Sequence, residues 1–153
     1  DELLFSIGGH EGFLCPRRGE NYELMFSAGE TPPTRLLENG LLSSDTVPLP
    51  YEAGVLPLRD ELFGYDTLIF DSPCSGSVHL RDRVTGRGVR FDFSDFPYFR
   101  VWAEPGADFV CLEPWHGSPD RVGSGYDLGD KADIIRLLPG NCSDKKHSFT
   151  LLA

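Results

Sequence analysis

An all-β protein, its strands packed as an antiparallel β-sandwich, is what this sequence predicts, on three observations. Short apolar runs recur every ~8–12 residues with turn residues between them. The 153 residues include 17 Gly and 12 Pro, well above ordinary usage. No window carries the 3.6-residue periodicity of a long amphipathic helix. The length suits a single domain over residues 1–153, enough chain to bury a real core.

The elements follow in order. Leu3 to Ile7 reads as a buried strand, and Gly8-Gly9 are expected to turn the backbone tightly ahead of His10. Glu11 to Glu20, broken by Pro16 and glycines, reads as a loop with Phe13 and Leu14 tucked inward. Tyr22 to Phe26 and Thr34 to Leu37 read as strands about a turn at residues 29–33. Asn39-Gly40 is the strongest hairpin signal, flanked by Leu36, Leu37, Leu41 and Leu42. Proline-rich Pro48 to Leu58 is an extended connection, and Arg59 to Gly64 a single helical turn.

Thr67 to Phe70, Ser77 to Arg81 and the alternating Val89 to Phe93 are strands, with Thr85-Gly86 in a turn. Tyr98 to Ala103 and Phe109 to Glu113 flank Glu104-Pro105-Gly106, so they form a hairpin that is expected to bring Trp102 near Glu113. A flexible loop at Gly123-Ser124-Gly125 precedes closing strands at Ala132 to Leu138 and His147 to Leu152.

Composition excludes several functions. A formal charge of −10 argues against a nucleic-acid partner, which would draw on clustered Lys and Arg. No apolar run approaches the ~18 residues of a membrane span. The four cysteines form no CxxC pair, which argues against a zinc site. They read as free thiols in a reducing compartment, with Cys111 a small buried thiol. No secretory signal is evident, so a cytoplasmic location is expected. The start on Asp1, inside an apolar run, reads as a piece of a longer protein. There is no GxSxG element for a serine hydrolase, and the GSG at Gly123 lacks the lysine and helix of a phosphate loop.

Chemistry concentrates in Phe96 to Asp120, FPYFRVWAEPGADFVCLEPWHGSPD. Glu113 closes the uncharged run Phe109-Val110-Cys111-Leu112. Such an acid is either a structural acceptor of loop amides or a functional group whose pKa burial raises. His10, at a strand end, is either an ordinary surface histidine or the second member of a proton-transferring pair. Trp102 and Trp115 are either core residues or a face on which a sugar ring stacks. His79, His116 and His147 have no acid partner by spacing, and Asp66 and Asp120 read first as turn formers.

Together these residues resemble the signature of the aldose 1-epimerase (galactose mutarotase) family, LacX-like branch. The stretch Phe96 to Asp120 is similar to the family's Phe-Pro-Tyr strand, Pro-Gly turn and Glu-Pro-Trp element. FSIGGH, Phe5 to His10, resembles its strand-Gly-Gly-His element, and LFGYDTLIF, Leu62 to Phe70, the segment between them. The resemblance implies a β-supersandwich and sugar mutarotation, with no metal and no cofactor. It implies Glu113 as general base, His10 as general acid, and Asp66 as a sugar contact. It covers only the C-terminal half of the family's domain. The upstream half would supply further strands, a second His and an Arg that grip the sugar. The sheet edge at Leu3 is therefore expected to be exposed unless that half or a second copy covers it. Glu11 departs from the family's usual Pro after the His, and Arg100 and His116 are unusual beside the catalytic strands. The alternative is a carbohydrate-binding module, or an inactive fragment, on the same fold. A phosphosugar substrate fits poorly with the acidic charge.

Overall fold

The computed structural model describes residues 1–153, the side chain of Tyr65 apart. It is built almost entirely of strands: β1 (Leu3–Phe5), β2 (Ile7–Gly8), β3 (Glu11–Leu14), β4 (Tyr22–Phe26), β5 (Thr34–Glu38), β6 (Leu41–Val47), β7 (Leu56–Pro57), β8 (Thr67–Asp71), β9 (Ser77–Asp82), β10 (Gly88–Asp92), β11 (Tyr98–Trp102), β12 (Phe109–His116), β13 (Ile135–Leu137) and β14 (Ser148–Leu152). Among the described residues, helical structure is limited to one turn, α1 (Arg18–Asn21), and two 3-10 segments at Asp60–Tyr65 and Leu128–Asp130. None of these helices is long and apolar enough to cross a membrane.

The strands form two main antiparallel sheets. One has five strands in the order β14-β10-β9-β4-β7; the other has seven, β2-β12-β11-β8-β5-β6 with β3 also on β12. Period-two alternation makes the core between them. Leu24 and Phe26, Val78 and Leu80, Val89 and Phe91 come from the first sheet. Leu68 and Phe70, Phe99 and Val101, Val110 and Leu112 answer from the second. Phe99 is central: its ring stacks on Phe93 at 4.2 Å and lies near Phe26, Phe70 and Phe91. With these residues committed inward, the intervening positions of β8, β11 and β12 form the opposite face of the seven-stranded sheet. That face carries the polar side chains.

The Asn39-Gly40 hairpin forms as expected, with φ of 51° and 82° at the two positions, the left-handed pair of a type I′ turn. The opening of the chain differs from expectation. The first strand is short and not buried: Leu3 is 56% exposed, and β1 pairs only with β13. Gly8 and Gly9 make no turn either. The register that pairs Gly8 with Trp115 and Glu11 with Leu112 runs straight through them. Glycine is needed at position 8 for closeness, since a Cβ there would lie 2.8 Å from the Pro114 carbonyl oxygen.

Glu11 to Leu14, expected as loop, is strand β3, held by four register pairs to β12. Alternation then turns Phe13 into the core and leaves Leu14 78% exposed, so only one of the two tucks inward. Strand β12 also outruns its expected end at Glu113, reaching His116 through Pro114. That proline has no N–H to donate, but its carbonyl accepts from the Gly9 amide at 2.9 Å.

Arg18 is the largest fully buried side chain and went unnoticed in the sequence. It donates to the Leu58 carbonyl at 3.1 Å, pairs with Asp60, and stacks 4.5 Å over the Phe63 ring. Asp60 in turn accepts from the Gly106 amide. The result ties α1, the first 3-10 segment and the β11–β12 turn together at one end of the sandwich.

Candidate active site

Glu113 occupies the middle of a cross-strand row. Along β12–β11 it pairs with Arg100, and the β2–β3 register carries His10 opposite it on the other side. Directly opposed residues share a face, so His10, Glu113 and Arg100 project together from the polar side of the sheet. The row continues through Ile69, the partner of both Arg100 and Arg35. Tryptophans flank it. Trp102 pairs with Cys111 on one side of the row, and Trp115 with Tyr98 on the other.

The hairpin forms and puts Trp102 on the same face as Glu113. Arg100 is directly opposite Glu113; Trp102 is two register pairs along, on the same face, and meets the His10 ring edge-on, centroids 6.2 Å apart. Trp115 lies beneath Arg100, whose guanidinium is 3.9 Å from the indole centroid. The two indoles therefore frame the row rather than cluster at one end.

His10 Nε2 is 3.2 Å from Glu113 Oε1, with side-chain exposures of 59% and 5%. The acid is submerged and the imidazole open to solvent. Burial pushes the Glu113 carboxyl above its ordinary pKa. The charges of His10 and Arg100 pull against that, as does the Trp115 indole N–H, while Glu11 adds to the rise. The indole N–H faces Glu113 without reaching hydrogen-bond geometry. Arg100 is also buried, which depresses its pKa against the opposing pull of Glu113 and Asp66, and its Nε has no hydrogen-bond partner among the described residues.

Asp66 is exposed and close enough for its charge to act on Arg100. It caps the first 3-10 segment at φ 74°, ψ −72°, a strained γ-turn geometry that a non-glycine residue rarely adopts. Cys111 is buried; desolvation, then the charges of Glu113 and Glu11, push its thiol up to about 11. The fold brings its sulfur together with the His10 and Glu113 ligand atoms, all within 4.8 Å of one another. Cysteine spacing in the sequence gives no sign of this grouping. All four cysteines are free thiols.

Two further arrangements escaped sequence reasoning. His147, which lacks an acid partner by spacing, meets Glu11 Oε1 at 2.8 Å and stacks on Phe91. Beyond Trp115, Asp133 accepts from Tyr98 at 2.6 Å and from Ser118 and Arg121 at 3.2 Å each. Burial alone would raise the Asp133 pKa, but these donors hold it below the ordinary range. Tyr98 is pushed up to about 12 by burial and by its bond to Asp133. A cleft lined by Ser6, Ile7, Gly8, His10, Trp115 and His116 opens beside the pair. A separate depression beyond β12, lined by Asp120, Tyr126 and Lys131 among others, lacks both members.

Comparison with known proteins agrees with this architecture. No protein-family model matches the chain. LacX of Lactococcus lactis, in plasmid and chromosomal forms, is 36% identical over 158 residues, covering 98% of this chain and 53% of LacX. The chain thus spans about half the length of the curated relatives it matches. A galactose mutarotase related enzyme from Lactobacillus acidophilus superposes with a TM-score of 0.86 at 26% identity, over 99% of this chain and 53% of that one. A galactose mutarotase-like protein from Lactobacillus casei shares the fold at a TM-score of 0.76 and 22% identity, with the same coverage. With its antiparallel sandwich and its match along nearly its whole length, the chain resembles LacX and the galactose mutarotase-like proteins over about half of each of them.

Proposed function

We propose that this chain carries the acid–base pair of an aldose 1-epimerase, interconverting the α and β anomers of a hexose by ring opening. The observation that carries the reading is the 3.2 Å approach of His10 to Glu113 on one row framed by tryptophans. Glu113 removes the proton from the C1 hydroxyl while His10 protonates the ring oxygen. The bond from C1 to the ring oxygen breaks, C1 becomes a carbonyl, and rotation about C1–C2 presents its other face. The reverse transfers close the ring. Both oxygens are bonded to C1, so base and acid must be near neighbours, and these two are. Such a pair contributes typically ~10²–10⁴-fold, ample for a reaction that already runs unaided in water.

The surroundings support the roles. Burial makes Glu113 a stronger base than an exposed carboxylate, and exposure lets His10 exchange protons with solvent. Trp102 and Trp115 offer apolar faces for a sugar ring, and the strained Asp66 a carboxylate for its hydroxyls. A second reading, sugar binding without turnover, rests on Trp102 and Trp115 alone, whose faces can hold a ring without any proton transfer. Polarimetry of freshly dissolved α-D-glucose and α-D-galactose separates the two. The epimerase reading predicts relaxation faster than buffer. Calorimetric binding without any acceleration would leave only the binding module.

A further inference from the structure

The proton-transfer roles leave one member of the site unused. Cys111 neighbours Glu113 on the same face of β12, two residues away, and its sulfur faces β3 where Gly12 has no side chain; a Cβ there would be 3.8 Å from it. His10 reaches the same spot from the link between β2 and β3. We propose that His10 Nε2, Cys111 Sγ and a Glu113 carboxylate oxygen form a binding site for a divalent cation of the zinc class.

The donor set suits that ion. One imidazole nitrogen, one thiolate and one carboxylate are the three atom types zinc takes, at about 2.0–2.3 Å each. Tetrahedral coordination at those lengths puts donors about 3.3–3.8 Å apart. His10 Nε2 and Glu113 Oε1 are already at 3.2 Å, and all three donors lie within 4.8 Å of one another. Closing the set needs rotamer adjustments of roughly an ångström, and the backbone positions are fixed by adjacent strands. Three protein donors leave a fourth coordination position for water or another ligand.

Charge is balanced as well. The bound ion's two positive charges meet the carboxylate and the thiolate, with the thiol proton released to solvent. Glu11 adds a nearby negative charge, and the Arg100 guanidinium opposes it. The consequence for activity rests on the epimerase reading above. A cation held by His10 and Glu113 takes the electron pairs that would move protons, so it inhibits the reaction instead of assisting it, and sugar and metal compete.

Cobalt(II) is the probe, because thiolate ligation gives it a near-ultraviolet charge-transfer band and four-coordination gives intense visible bands. Titrating the metal-free protein should produce both at one equivalent. Cys111→Ser should abolish the charge-transfer band, while Cys74→Ser and Cys142→Ser keep it. Zinc affinity, measured by competition with cobalt, should drop by about tenfold or more in His10→Ala and in Glu113→Gln. Circular dichroism matching wild type keeps these variants interpretable. The site is overturned if wild type shows no thiolate band, or if the band survives Cys111→Ser. Mutarotation in saturating zinc is read separately. Suppressed turnover supports the inhibitory role, and unchanged turnover contradicts it. A protein that binds cobalt through Cys111 but never accelerates mutarotation keeps the metal site and loses the epimerase reading.

Discussion

Glu113 and Arg100 are register partners on β12 and β11, both buried, and the arginine spends its charge on the acid and on the Trp115 ring together. Two opposing influences thus meet at one carboxylate: burial raises its pKa, and the Arg100 and His10 charges restrain the rise.

That balance makes the pH profile a readout of Arg100. Turnover needs ionised Glu113, so the acid limb of the mutarotation profile should fall above the ordinary glutamate range. In Arg100→Met the arginine's share of the restraint is gone while that of His10 remains, and the limb should move further alkaline. Arg100→Lys should move it less, since it keeps the charge and loses the flat stacking on Trp115. An acid limb unchanged in Arg100→Met would break the link between the two residues.

The raised pKa also predicts a stability effect, with a definite sign. The folded protein binds the Glu113 proton more tightly than the unfolded chain does. The carboxyl therefore costs nothing below the ordinary glutamate pKa, and its penalty grows as pH rises through the folded value. Glu113→Gln removes that penalty. Thermal melting should show the variant more stable than wild type at neutral pH, with the gap narrowing on acidification. Such a gain at the expense of activity is ordinary for functional sites. A Gln variant less stable than wild type at neutral pH contradicts the assignment of strain to this carboxyl.

Trp102 borders the pair without touching the proton path. Trp102→Ala should weaken sugar binding by roughly 3- to 10-fold, the equivalent of an aromatic contact of ~0.5–1.5 kcal/mol. The effect should fall mainly on KM. A large loss of kcat with KM intact would mean that Trp102 positions His10 instead of sugar.

Phe99 faces the other way, into the sandwich, where it joins both sheets through Phe93, Phe26 and Phe70. Phe99→Ala should cost ~3–5 kcal/mol by urea denaturation. A loss below about 1 kcal/mol would mean that the two sheets do not share this core.

The sandwich was legible because its strands announce themselves. Val89 to Phe93 alternates, Asn39-Gly40 turns, and Glu104-Pro105-Gly106 separates two apolar runs. What stayed hidden has two causes. Glu11 to Leu14 is short and flanked by turn residues, so only its partner β12 makes it a strand; local pattern cannot supply a pairing. Leu3 looked buried because its neighbours are apolar, yet it belongs to a separate two-stranded ribbon with β13. Long-range constellations are the second cause. The Glu11–His147 contact joins residues 136 apart, and the gathering of His10, Cys111 and Glu113 depends on register rather than spacing. Arg18 reads as one more surface charge until the fold surrounds it. Glu113 and His10 stand out by their settings as a candidate proton-transferring pair, and the resemblance assigns their roles; the register explains why they meet.

The central claim is that Glu113 and His10 move the protons. Initial rates of α-D-galactose mutarotation, followed by polarimetry for wild type, Glu113→Gln and His10→Asn at equal concentration, test it most directly. The account predicts acceleration by wild type and losses of ~10²–10⁴-fold in each variant, with calorimetry showing that galactose still binds. A Glu113→Gln protein that keeps the full rate would contradict it.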